Sequence, residues 1–329
     1  LAGDFRAEGG ASRRLVRVFH SLFGWLRGGP AIITALVCAF FTSFTGASGV
    51  TILALGGLLM PVLVAAKYRE RDALGLLTAA GSLGLLFPPS LAVILYGVVS
   101  GTPIDMLFLG GLLPGALLVV LTAAWGIWRG NPQESAEHPF RAAEVGRAVW
   151  EAKWELLLPV LILLGLYGGA WTGLHMTLVE VAALTAFYAF ATQTFVTRDL
   201  SFRRDPLRVM TECGALVGGV LLILAAAQAL TSYFVIANVA QAGVEWAKGS
   251  VASPVVFLLL LNGVLLVAGS VIDIISSIVV LVPLLKPLGQ AFGIDPVHLG
   301  IVFLANMELG FLTPPIGLNL FLSSYRFGK

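Results

Sequence analysis

Long uncharged stretches alternate with short basic ones along this chain. Met106–Trp128 carries no charge and is long enough to cross a hydrocarbon core of about 30 Å as a helix. Uncharged runs at 73–99 and 156–171 and the largely apolar runs at 176–196 and 209–230 behave similarly. None shows a two-residue alternation, and backbone groups left unpaired in lipid are costly, so these are helical spans and not barrel strands. Two stretches differ. Pro30–Ala66 has apolar halves of about fifteen residues on each side of Thr45-Gly46-Ala47-Ser48-Gly49, somewhat short for two crossings. Pro254–Leu288 has the same form around Gly269-Ser270-Val271-Ile272-Asp273. Both read as re-entrant hairpins with small, polar tips. The segment 231–253 is polar and poorly periodic, and reads as irregular.

Charge orients these elements. Sixteen of the twenty Lys and Arg residues fall in four clusters, Arg6–Arg27, Lys67–Arg71, Arg129–Lys153 and Arg198–Arg208. The positive-inside rule places all four in the cytoplasm. Each intervening segment then enters and leaves on one side. The run 73–99 goes out, the Gly101–Asp105 loop carries no base, and 106–128 returns; 156–171 goes out and 176–196 returns after a Thr172–His175 turn. From Arg208 the chain leaves through 209–230, the second hairpin opens outward, and 297–323 crosses inward to deliver Arg326 and Lys329.

Composition narrows the class. With 58% hydrophobic and 12% charged residues, a water-soluble fold of this length lacks polar surface to cover itself. The net charge of +2 gives no case for nucleic acid as a partner. Cys38 and Cys213 sit in apolar surroundings without metal-ligand spacing, so each reads as structural. Leu1 is no initiator and Leu1–Arg27 lacks a signal-peptide pattern, so the sequence reads as cut from something longer.

Each proposed hairpin is followed by a helix broken by one pattern. Leu83-Gly84-Leu85-Leu86-Phe87-Pro88-Pro89 and Leu309-Gly310-Phe311-Leu312-Thr313-Pro314-Pro315 agree at five of seven positions. The charge-derived topology runs the first outward and the second inward, an inverted repeat of the kind found in secondary transporters. Two ordinary proline kinks are the bland alternative. Proline has no N–H for the carbonyl four residues back, so Pro88 and Pro89 free the oxygens of Gly84 and Leu85, and Pro314 and Pro315 those of Gly310 and Phe311. Hard cations such as sodium take such oxygens at unwound helices. Thr45, Ser48, Thr51, Ser82, Ser90, Asp273, Ser276, Ser277, Asn306 and Thr313 add side-chain oxygens at or beside the tips and breaks. One hydroxyl alone more often bonds its own helix, so only their convergence is informative.

Carboxylates within apolar segments are costly and usually functional. Glu180, Asp273 and Glu308 qualify; Glu180 also suits an interface position and Glu308 a pairing with protein amides. No Lys or Arg lies at the expected centre, so an anionic substrate must be held by bound cations, helix N-termini and hydroxyls. Coupling to protons through Asp273 or Glu308 is the alternative, as is another sodium–anion symporter architecture. An enzyme reading rests on Gly46-Ala47-Ser48-Gly49, a GxSG sequence similar to the nucleophile motif of rhomboid intramembrane proteases. The one candidate base near the spans, His175, is placed at an outer turn away from Ser48. His20, His138, His175 and His298 form no metal motif.

The same residues resemble the large membrane subunit, DctM-like, of tripartite ATP-independent periplasmic (TRAP) transporters. Gly28-Gly29-Pro30-Ala31-Ile32, Thr45 to Gly49, Gly81 to Gly84 with Phe87 to Ser90, Tyr96-Gly97, Leu113-Pro114-Gly115, Gly293 to His298 and Asn306 to Asn319 look like that family's recurrent segments, in order. The resemblance implies an all-α polytopic protein of the bacterial inner membrane with an elevator-type fold. It implies sodium-driven import of small organic anions, carboxylates such as dicarboxylates or sialic acids. Its partners would be a periplasmic solute-binding protein, DctP-like, and a small membrane subunit, DctQ-like. The chain then divides into a lead-in over 1–29, a first transport repeat over 30–128 (hairpin 30–66, broken helix 73–99, helix 106–128), and an amphipathic cytoplasmic arm over 129–155. A scaffold hairpin over 156–208 and a second repeat over 209–329 follow, the latter with helix 209–230, hairpin 254–288 and broken helix 297–323. Carried over, two sodium sites fall on Ser48, Gly84, Phe87 and Pro89, and on Gly269, Gly310, Thr313 and Pro315. Substrate contacts fall among Thr45, Ser82, Ser90, Asp273, Ser276 and Asn306. A leading scaffold helix and a final helix of that family are missing from this sequence.

Overall fold

A computed structural model describes residue 5 and residues 10–130, 141–168, 176–201, 205–251 and 253–328. The described residues are helical and contain no strand. They form two units, one of residues 1–84 and 117–214, the other of residues 85–116 and 215–329. The expected Thr172–His175 turn lies outside the described residues.

The first unit begins with α1 (Ala11–Phe23), which buries Leu15 and Val18 on one face and exposes Arg13 and Arg17 on the other. It packs on α2 (Gly29–Thr45) and α7 (Ala142–Glu151). Gly28 at φ +80° precedes α2 and Gly46 at φ +66° ends it, a left-handed turn that costs glycine little. The chain reverses there into α3 (Ser48–Ala65). After the Ala66–Arg69 connection, α4 (Glu70–Ala80) carries Glu70 and Asp72 in its first turn, where the helix dipole favours acids. α8 (Lys153–Tyr167) packs on α9 (Leu178–Ala191), which ends in a π turn over Thr192–Val196. Thr177 and Glu180 cap α9 reciprocally, so Glu180 is committed to a helix end.

One charged knot ties this unit together. Arg14 of α1 donates from Nε to Glu155 Oε1 of α8 at 2.8 Å and from Nη2 to Asp199 Oδ2 at 2.6 Å. The Glu155 side chain is wholly buried, which is tolerable only because the guanidinium accompanies it.

The second unit holds α5 (Leu91–Ser100), the start of α6 (Ile104–Arg129), most of α10 (Asp205–Ile236), and α11 to α15. These last are α11 (Val239–Ser250), α12 (Pro254–Val271), α13 (Ile274–Ala291), α14 (Pro296–Gly310) and α15 (Leu318–Phe327). The expectation that 231–253 is irregular is corrected: most of it is helix, with α11 packed on α13. Only the break at Asn238, φ 52°, interrupts it. Ala, Val and Gln sustain the helix, while Gly243 and Gly249 hide its period from the sequence.

The hairpin arms are also longer than expected. α2 has 17 residues and α3, α12 and α13 have 18 each, about 26 Å of helix apiece. Length alone therefore does not set them apart from crossings. What distinguishes the second pair is its packing: α12 lies against α14 and α13 against α5.

Directions within this unit follow from its contacts. Lys286 Nζ, near the end of α13, donates to Ser100 O at the end of α5 at 2.5 Å. The chain turns at Gly293, φ +69°, and α14 runs back. α5 and α14 are thus antiparallel, with Tyr96 against Phe303 at 5.5 Å between ring centroids. The helix after the first break and the helix before the second point opposite ways.

Candidate functional site

The first break occupies residues 81–90 between α4 and α5. Gly84 is buried against α2, where an added Cβ would overlap Ala39 O and stand 2.5 Å from Ser43 N and 2.6 Å from Thr42 Cβ. Only glycine allows that approach. Thr42 Oγ1 donates to Gly81 O at 2.8 Å and so accepts from Thr51 Oγ1 at 2.7 Å, because the carbonyl cannot donate. Among the described residues no backbone N–H donates to the carbonyls of Gly84 and Leu85, as the prolines four residues on require.

The second break, residues 311–317, is built alike from other contacts. Gly310 meets Gly269 of α12, its added Cβ standing 2.6 Å from Gly269 Cα. Ser270 O at the hairpin tip accepts from Gly317 N at 3.0 Å and Ile316 N at 3.3 Å. Hairpin tip and break are therefore one piece of structure. Both Pro88–Pro89 and Pro314–Pro315 are cis.

One expectation is corrected here. Gly310 O and Phe311 O are not left bare: Thr313 N donates to the first at 2.9 Å and Asn319 N to the second at 3.2 Å. A tightened turn uses the first oxygen. The second takes an N–H from the opening of α15, where such donors lack helical partners. A carbonyl has two lone pairs, so each retains an acceptor position.

The structure brings Gly269, Gly310, Thr313 and Pro315 into one unit and joins the first two directly. Thr313 Oγ1 bonds Leu309 O at 2.9 Å. Of the other expected set, Ser48 and Gly84 lie in the first unit and Phe87 and Pro89 in the second. Ser48 is buried at the start of α3. Thr45 makes long contacts, to Ala47 O at 3.4 Å and to Thr42 O and Thr51 Oγ1 at 3.5 Å each, and Ser82 bonds Ala79 O at 3.4 Å.

Asp273 is exposed and caps α13, accepting from Ile275 N at 2.9 Å, Ser276 N at 3.1 Å and Ser276 Oγ at 2.5 Å. That capping role absorbs Ser276 as well. Asn306 donates to Asn262 Oδ1 of α12 at 2.6 Å and to Val302 O at 2.8 Å. Ser90 Oγ, Ser277 Oγ and Glu308 Oε1 are buried in the second unit with no hydrogen-bond partner among the described residues, acceptors that could serve a cation or polar solute.

Sequence reasoning missed Thr42 and Asn262. Thr42 lies one turn before Thr45, and Asn262 seven residues before Gly269, on its face of α12; an amide inside an apolar run is the signal that could have flagged it. The expected GxSG nucleophile gains no support, since Ser48 is a buried helix-start residue and His175 lies outside the described residues. Among the described residues no group of three His, Cys, Asp or Glu could hold a metal.

Comparison with known proteins places this architecture. The family model described as the DctM component of tripartite ATP-independent periplasmic transporters matches residues 1–325. The C4-dicarboxylate TRAP transporter large permease protein DctM of Pseudomonas aeruginosa is 34% identical over 331 residues, covering 98% of this chain and 75% of that protein. The isethionate TRAP transporter permease protein DctMQ of Oleidesulfovibrio alaskensis is 35% identical over 98% of this chain, which spans 50% of that relative's length. The crystal structure of the Alcanivorax borkumensis YdaH transporter superposes with a TM-score of 0.63 over 99% of this chain and 77% of that one, at 18% identity. That likeness concerns the fold alone.

Proposed function

The chain belongs to the DctM component family of tripartite ATP-independent periplasmic transporters, inner-membrane proteins, and we propose that it is the large permease subunit of a sodium-driven importer of small organic anions. The observation that carries this reading is the repeated break, each copy with a glycine seated against the hairpin beside it. Main-chain oxygens at helix breaks supply cation ligands in ion-coupled transporters. Gly84 and Leu85 offer such oxygens without a backbone donor, and Gly310 and Thr313 line the matching break. Two sodium sites, one at each break, follow from the repeat. Relatives named for C4-dicarboxylate and for isethionate carry organic anions, and this chain's substrate is assigned to the same class.

Bound sodium would compensate the anion's charge, with Asn306, Asn262, Ser90 and Ser277 supplying polar contacts. A periplasmic binding protein would deliver the anion, and a small membrane subunit, separate or fused as in the DctMQ relative, would brace the scaffold. In the elevator reading, hairpins and broken helices move as one body. Proteoliposomes of the complete transporter with its binding protein test coupling under an imposed inward sodium gradient, a proton gradient or none. Uptake is expected under sodium alone; equal uptake under a proton gradient without sodium would overturn the reading.

A further inference from the structure

In the first unit a cavity of about 520 Å³ opens between the α3–α4 connection and the end of α6, lined by Lys67, Arg69, Asp72, Trp128, Arg129 and Gly130. Among the described residues that line it, three are bases and one is an acid. Asp72 is buried and holds Arg129 through Nε at 3.1 Å and Nη2 at 2.9 Å. That bond fixes the guanidinium at the wall. Lys67, at φ 57°, and Arg69, which precedes α4, stand on the connection facing it. The Tyr68 hydroxyl is buried and has no hydrogen-bond partner among the described residues. It lies so close to Gly130 that a side chain there would collide with it.

The cavity has an apolar approach. Leu117, Leu121, Trp125 and Trp128 are all exposed, and their spacing of four, four and three residues puts them on one face of α6, leading to the rim. Tryptophan and arginine at the end of a 26-residue apolar helix mark the bilayer interface. A basic pocket continuous with a lipid-facing stripe fits a molecule with an anionic phosphate head and hydrocarbon tails.

We propose that this pocket binds the phosphate headgroup of an acidic phospholipid, its acyl chains lying along the Leu117–Trp128 face of α6. Lys67 and Arg69 attract the phosphate, and Arg129 is oriented by Asp72 to meet it. The site is distinct from the broken helices and does not depend on which solute is carried.

Native mass spectrometry of the complete transporter, released from micelles doped with phosphatidylglycerol or phosphatidylcholine, tests this. Wild type should retain one phosphatidylglycerol and no phosphatidylcholine. Removing each base costs roughly fivefold in affinity, so Lys67→Gln with Arg69→Gln should weaken retention by more than about tenfold, and Lys67→Arg with Arg69→Lys should restore it. Inorganic phosphate in excess should not displace the lipid. Retention unchanged in the Gln variant, equal retention of phosphatidylcholine, or displacement by inorganic phosphate would each overturn the proposal. Sodium-driven uptake measured on the same samples separates failure here from failure of the transport reading.

Discussion

Thr42 shows how much one hydroxyl can carry. Buried in the first unit, it passes a hydrogen bond from Thr51 on to Gly81 O, so α2, α3 and the opening of the first break share one proton chain. Thr42→Val should strand the Gly81 carbonyl and cost about 1–3 kcal/mol, read as a lowered unfolding midpoint, while Thr42→Ser should recover most of it. A Val midpoint equal to or above that of Ser would contradict a role for the hydroxyl. At this scale the glycines were legible in the sequence, because Gly84 and Gly310 occupy equivalent places in a repeated motif. Thr42 and Asn262 were not. Their importance comes from partners far along the chain, Gly81 and Asn306; the amide of Asn262 stands out in its apolar run, but nothing local names its partner. Asp273 was legible as an intramembrane acid, but its N-cap geometry, set by the turn at Ile272, assigns the carboxylate to α13.

Among elements, the Arg14 knot decides how α1, α8 and the segment after α9 hold together. Arg14→Ala would leave buried Glu155 without that cation, a loss of about 3 kcal/mol. Asp199 adds a pH signature. Its partial burial pushes the carboxyl up, but hydrogen bonds from Arg14 and Gly10 N–H and the guanidinium charge outweigh that and hold it below the usual carboxylate range. A lowered folded value means stabilisation present above the unfolded value of about 3.9 and lost as pH falls through the folded one. Wild type should therefore lose more of its unfolding midpoint than Asp199→Asn between about pH 5 and pH 3; parallel losses would contradict the assignment. Hydrophobic runs made α6 and α10 readable, since lipid-facing helices write their length in apolar residues. Hairpin arms were read as too short because polar tips interrupt the hydropathy while backbone bonding continues to Thr45 and from Ser48. α11 was lost for the converse reason, a helix held by packing on α13 with a weak sequence period.

For the whole molecule, the proposed function requires that both breaks, each seated by glycine on its hairpin, hold sodium. The repeated motif could be read from the sequence, whereas the donors that reach Gly310 and Phe311 depend on how the chain folds back after Pro315. A ligand that binds the folded state raises its stability with concentration, by about 2.7 kcal/mol at a hundredfold excess over its dissociation constant. The decisive measurement is thermal unfolding of the purified transporter in sodium against potassium at equal ionic strength. A saturable rise in midpoint with sodium, absent with potassium and diminished by Gly84→Ala and by Gly310→Ala, is the predicted result; identical midpoints in the two salts would contradict the account.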